Sequence, residues 1–173
     1  MGEEERVKNT AETILAWWQM NCITANQVVA WADSRIATFS DTSQLPTWLL
    51  ELSQLGPQQM LEKGHPDYPK AKSLSFEEQF RAKIETTNAN DTTSVKAFMN
   101  WVVKSALGED LNNEDVHDAY MIDHLLDDCR DEKRALASTV ILIMKRKNQC
   151  KEIENTLGHP TCASSGTPEV GRP

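Results

Sequence analysis

Residues 134–144 read Arg-Ala-Leu-Ala-Ser-Thr-Val-Ile-Leu-Ile-Met, and the choice between strand and helix for this run decides the fold class. Thr139, Val140, Ile141 and Ile143 are β-branched and would suit a buried strand. The run is nevertheless continuous with Arg134-Ala135-Leu136-Ala137, which favours one long central helix from about Asp131 to Lys147. No other window holds the sustained alternation of a half-buried strand, so the chain is expected to be all-α. Val140 to Met144 is its longest apolar run and is expected to be a buried core segment. It falls far short of the roughly 20 residues that a membrane span needs.

Working outward, Asn113 is placed to cap a preceding helix from about Glu114 to Cys129. Upstream of that, Val95, Phe98, Met99, Val102 and Ala106 make one helical stripe that stops at Gly108. Toward the C-terminus, a short turn from Lys151 to Leu157 ends at Gly158, and residues 159–173 read as a disordered tail. In the front half, Ala11, Ile14, Leu15 and Trp18 share one helical face between about Thr10 and Met20. Thr24-x-x-Gln27 is a capping box, in which the hydroxyl takes an orphan N–H and the amide side chain reaches back. Its helix should turn Ala25, Val28, Ala32 and Ile36 inward. Leu45, Trp48, Leu49, Leu52 and Leu55 share a third face, ended by Gly56-Pro57, with a short helical piece from Gln58 to Lys63 beyond it. Ser75-x-x-Glu78 is a second capping box and opens a helix to about Glu85. Residues 86–93, Thr-Thr-Asn-Ala-Asn-Asp-Thr-Thr, are polar and aperiodic and are the candidate hinge. The expectation is an irregular bundle of about six to seven helices, packed as one domain over residues 1–158.

With 173 residues the chain is long enough for one sizeable core. Its 26 Asp+Glu against 18 Lys+Arg give a formal charge of -8, which disfavours nucleic acid as a primary ligand. The acidic start, Met1-Gly2-Glu3-Glu4-Glu5, is followed by no apolar signal region, so a cytoplasmic location is expected. Cys22, Cys129, Cys150 and Cys162 lie far apart and offer neither a C-x-x-C pair nor zinc-finger spacing, so reduced, mostly packed thiols are expected. There is no G-x-G-x-x-G, Walker A loop, G-x-S-x-G elbow or H-E-x-x-H. The sequence therefore implies no cofactor, and an enzyme is the less favoured class.

The charge is concentrated. Between Glu109 and Glu132 stand ten carboxylates against the single Arg130, and Lys133, Arg134, Lys145, Arg146 and Lys147 follow. At about 100° per residue, His117, His124, Asp128 and Asp131 fall in one sector, with Tyr120 and Asp127 beside it. These six are the candidate partner-binding residues. A solvated helix face whose acids and bases suit the macrodipole accounts for the same pattern. The alternative is metal: His124 and Asp128 stand at i and i+4, and Glu114-x-x-His117 has the form used in di-iron bundles, so His117, His124 and Asp128 would be the ligands of a metal-dependent helical enzyme. Asp123 projects into the apolar arc of Val116, Ala119, Ile122 and Leu126, where a carboxylate must find a donor or shift its pKa. Of the adjacent Trp17 and Trp18, one must leave the core, and an exposed Trp would be a protein-binding anchor.

Trp18, Ile23-Thr24, Val29-Ala30-Trp31-Ala32-Asp33, Ile36 and Pro46-x-Trp48-Leu49-x-Glu51-Leu52-Ser53 together resemble the front of small helical bacterial proteins. Those belong to uncharacterised-function and toxin-immunity families, and the likeness spans residues 18–56. It implies a non-enzymatic protein that binds a toxin domain stoichiometrically. An acidic inhibitor of that kind would neutralise a basic protein partner through the helix at 114–132. A third expectation is a structural role as a homo-oligomer.

Overall fold

The computed structural model describes residues 2–41, 44–106, 108–109 and 113–158. Within them lie eight helices and no strand: α1 (Glu3–Gln19), α2 (Ala25–Ile36), α3 (Thr47–Glu62), α4 (Phe76–Thr86), α5 (Thr92–Ser105), α6 (Glu114–Asp127), α7 (Glu132–Arg146) and α8 (Glu152–Leu157). The decisive run at 134–144 is helical throughout. The expected tail at 159–173 lies outside the described residues, as does Cys162.

Both capping boxes form as the sequence requires. Gln27 N–H donates to Thr24 Oγ1 while Thr24 N–H donates to Gln27 Oε1, and Ser75 and Glu78 repeat the exchange. Asp91, Asn113 and Asp131 cap α5, α6 and α7 by accepting backbone N–H bonds. One boundary differs from expectation. α1 begins seven or so residues early, because acids in a first turn suit the positive helix end even without apolar periodicity. The third helix breaks at Gly56-Pro57 as expected, and a second helical piece follows. Gly56 takes φ 78 and ψ 171, a conformation essentially confined to glycine, and the helix resumes at Pro57 after a kink.

Apolar side chains gather in two clusters. The first holds Ile14, Leu15, Trp17, Val28, Trp31, Trp48, Leu49, Leu52 and Met60 from α1 to α3. The second holds Phe76, Phe80, Ile84, Val95, Phe98, Val102, Val116, Ile122 and Ile143 from α4 to α7. Each fully buried side chain of this size contributes about 1.5–3 kcal/mol. The helix α4 is the wall between them, with Phe80 facing one cluster and Ala82 the other. The chain first enters the second cluster at Phe76, and Ala82 and Ile153 return to the first. The candidate hinge at 86–93 joins two helices of the same cluster, and it is tied down: Lys147 Nζ donates to Thr87 O at 2.9 Å and Asn88 N–H to Ser94 Oγ at 3.0 Å. Glu85 binds the two halves further by accepting N–H bonds from Ile153 (3.0 Å) and Glu154 (2.7 Å) at the start of α8, whose Ile153 is buried in the first cluster.

Three expectations about burial need correction. Trp17 is the buried member of its pair and Trp18 is half-buried, lining a groove of about 520 Å³ with Gln58, Leu61 and Glu62. Ala25 is exposed, and Trp31 fills the inner face of α2 in its place. Most consequentially, the run Val140 to Met144 is not a buried segment. A helix turns its side chains in every direction, and α7 buries the stripe Ala135, Thr139, Ile143 and Arg146. Ile141 and Met144 consequently stand 66% and 63% exposed.

Candidate functional site

The acidic helix has two ends with different fates. At its start, Asp115 lies four residues before Ala119 and seven before Ile122, so it shares their buried face and is 2% exposed. A carboxylate there needs cations, and it has two. Arg81 Nε on α4 donates to Asp115 Oδ2 at 3.0 Å, and Arg146 Nη1 at the end of α7 donates to Oδ1. Arg146 Nη2 also lies 3.0 Å from Glu114 and 2.6 Å from Asp118, while Arg81 Nη2 meets Glu77 at 2.6 Å. Asn113 Nδ2 closes the ring on Glu77 at 3.0 Å. The network lines a hollow of about 340 Å³ with Gln149 and Cys150. The two guanidiniums hold four carboxylates and fix α4, α6 and α7 against one another, while burial and then the neighbouring Glu114 push the Asp118 carboxyl above the ordinary aspartate value. The network also shows that α6 and α7 run antiparallel, since the end of one pairs with the start of the other.

This network corrects the place of the embedded acid. Asp123 is half-buried rather than central; burial, then Asp127 and Asp128, push its carboxyl above the ordinary aspartate value. Asp115 occupies the position expected of it.

One face of the second half of α6, and the turn to α7, are open to water. His117, Met121, His124 and Asp128 form one exposed ridge at offsets of 0, 4, 7 and 11 residues. His124 Nδ1 lies 2.6 Å from Asp128 Oδ2, and His124 Nε2 lies 3.6 Å from Cys129 Sγ. Tyr120 is half-buried against the second cluster, and its hydroxyl accepts Gly108 N–H at 3.3 Å. Asp127 is exposed and lines a groove of about 440 Å³ with Lys96, Lys104 and Arg130. Asp131 is exposed and is held as the α7 cap by Arg134 N–H at 3.0 Å. Of the six candidate residues, the structure thus brings His124 and Asp128 together, turns Tyr120 and Asp131 partly to structural work, and leaves His117 and Asp127 apart.

For the metal alternative, no group of three or more His, Cys, Asp or Glu among the described residues could hold an ion. His117 stands two helical turns from His124, roughly 10 Å along the axis, and does not join the His124–Asp128 pair as a third ligand. Among the described residues, no helix is long and apolar enough to cross a membrane.

Sequence reasoning missed three residues of this region. Met121, Ile141 and Met144 are the large hydrophobic side chains exposed among the described residues, and all three stand on α6 and α7. The signal was available: five consecutive apolar residues on a helix cannot all face one core. No family model matches the chain, and neither a curated protein nor a solved structure shows significant similarity to it.

Proposed function

We propose that this chain is a non-enzymatic binding protein that presents its α6–α7 hairpin to a basic protein partner. The observation that carries this reading is the confinement of Met121, Ile141 and Met144, the exposed large hydrophobics, to the same hairpin that holds the acidic surplus. Exposed methionines adapt to a partner's surface, and apolar anchors within a polar rim are what protein interfaces use. Asp127, Asp128 and Asp131 supply the acidic rim, which would steer a basic partner and set its register. Asp115 takes no part, because it is buried between Arg81 and Arg146. The resemblance of residues 18–56 to toxin-immunity families supports a stoichiometric inhibitor of a basic toxin as the specific form of the activity.

The test is capture of a basic partner from cells by the wild-type chain, followed by titration against two double variants. Asp127→Lys/Asp128→Lys should weaken binding at least tenfold at low salt and flatten its salt dependence. Ile141→Asp/Met144→Asp should weaken it by roughly 30-fold or more, the scale of a lost hot spot. Equal affinity of both variants and wild type for the captured protein would refute the reading. Light scattering on the chain alone separates this outcome from self-association.

A further inference from the structure

Cys129 is the exposed cysteine among the described residues; Cys22 and Cys150 are buried, and burial pushes both of those thiols up. Its sulfur is 3.6 Å from His124 Nε2, and the other ring nitrogen of that histidine is 2.6 Å from Asp128 Oδ2. Three chain positions produce this arrangement. His124 and Asp128 are one helical turn apart at the end of α6, and Cys129 N–H donates to His124 O at 3.1 Å as the helix closes. Arg130 then takes a left-handed φ of 50, which turns the chain away.

The order carboxylate, imidazole, sulfur has a chemical consequence. In the tautomer that donates Nδ1–H to Asp128, Nε2 is the acceptor facing the thiol. A nucleophile within reach of a base, with the base oriented by a third group, is the arrangement that activates a nucleophile. We infer that Cys129 is a reactive thiol, activated by His124 and oriented through Asp128, and that it forms mixed disulfides with small disulfide molecules. The Sγ proton passes to His124 Nε2, and the thiolate attacks one sulfur of the small disulfide. That S–S bond breaks as the new one forms, and the departing thiolate takes the proton from His124. The small disulfide is the oxidant, and no other reagent is needed. Asp128 is the positioning residue.

The size of the effect is bounded. His124 acts only on the proton-transfer part of the exchange, so losing it is expected to cost roughly three- to fivefold in rate. The experiment follows adduct formation at Cys129 by mass spectrometry of the full chain carrying Cys162→Ser, with the uncharged probe bis(2-hydroxyethyl) disulfide. His124→Gln should slow the reaction at least threefold. Asp128→Ala gives the discriminating sign. Were Asp128 only a nearby negative charge, its removal would favour the thiolate and speed the reaction; as the orienting group, its removal slows it. Both side chains are more than half exposed, so the variants should keep the wild-type melting temperature. A fall of less than threefold in His124→Gln, or an unchanged or faster rate in Asp128→Ala, overturns the inference.

Discussion

Replacing Arg146 by Met tests whether the buried network holds the second half of the molecule together. Met keeps much of the aliphatic stem and removes the guanidinium. Asp115, 2% exposed, would then face Arg81 alone, through one 3.0 Å bond to a side chain that is 53% exposed. Breaking a buried pair by removing one partner costs about 3–5 kcal/mol, because the other charge is left uncompensated. The surviving Arg81 bond places this case at the lower end, about 3 kcal/mol. For a domain of this size each kcal/mol moves the melting temperature by about 2–4 °C, so Arg146→Met should melt roughly 6–12 °C lower. Asp115→Leu/Arg146→Met removes both buried charges, and its loss should be smaller than the sum of the single losses by about 1–3 kcal/mol. The assay is thermal and urea unfolding of the four members of the cycle. A single-variant shift within about 2 °C of wild type, or strict additivity of the pair, would show that the network does not hold these helices together.

Three further outcomes follow from other parts of the fold. Gly56→Ala should cost about 1–3 kcal/mol in urea unfolding: the new Cβ would meet Val29 Cγ2 at an ordinary 4.0 Å, so the penalty is the backbone conformation itself. Glu85→Ala should cost about 1–2 kcal/mol and remove hydrogen-exchange protection from the Ile153 and Glu154 amides, which its carboxylate accepts. Unchanged exchange there would contradict its role at α8. Asp123 binds its proton more tightly folded than unfolded, so stability is lost as pH rises through its raised folded pKa. Asp123→Asn should therefore be more stable than wild type near neutral pH and lose that advantage below the ordinary value of 3.8; a difference constant with pH would contradict the assignment.

Local chemistry made most of the fold legible. Thr24 with Gln27 and Ser75 with Glu78 place two helix starts to the residue, because a capping box satisfies backbone donors whatever lies beyond it. The α1 start was hidden because residues 3–8 carry almost no apolar pattern. The site was less legible. The helical projection that singles out Asp123 also marks Asp115, but its partners Arg81 and Arg146 are 34 and 31 residues away, and no local rule pairs them. The run from Val140 to Met144 misled through its composition: hydrophobicity predicts burial only where a neighbouring element arrives to cover it, and none covers Ile141 or Met144. Cys129 escaped because its partner His124 stands five residues back, across the helix end, where helical periodicity no longer applies.

The α6–α7 hairpin is the face proposed to meet a partner. A photo-crosslinking side chain placed at Ile141, with a control at exposed Asn26 on α2, tests it in cells. A discrete adduct with a basic protein is expected from position 141, lost when Asp127 and Asp128 are reversed in charge, and none from position 26. The same adducts from both positions, or none from 141, would contradict the proposal.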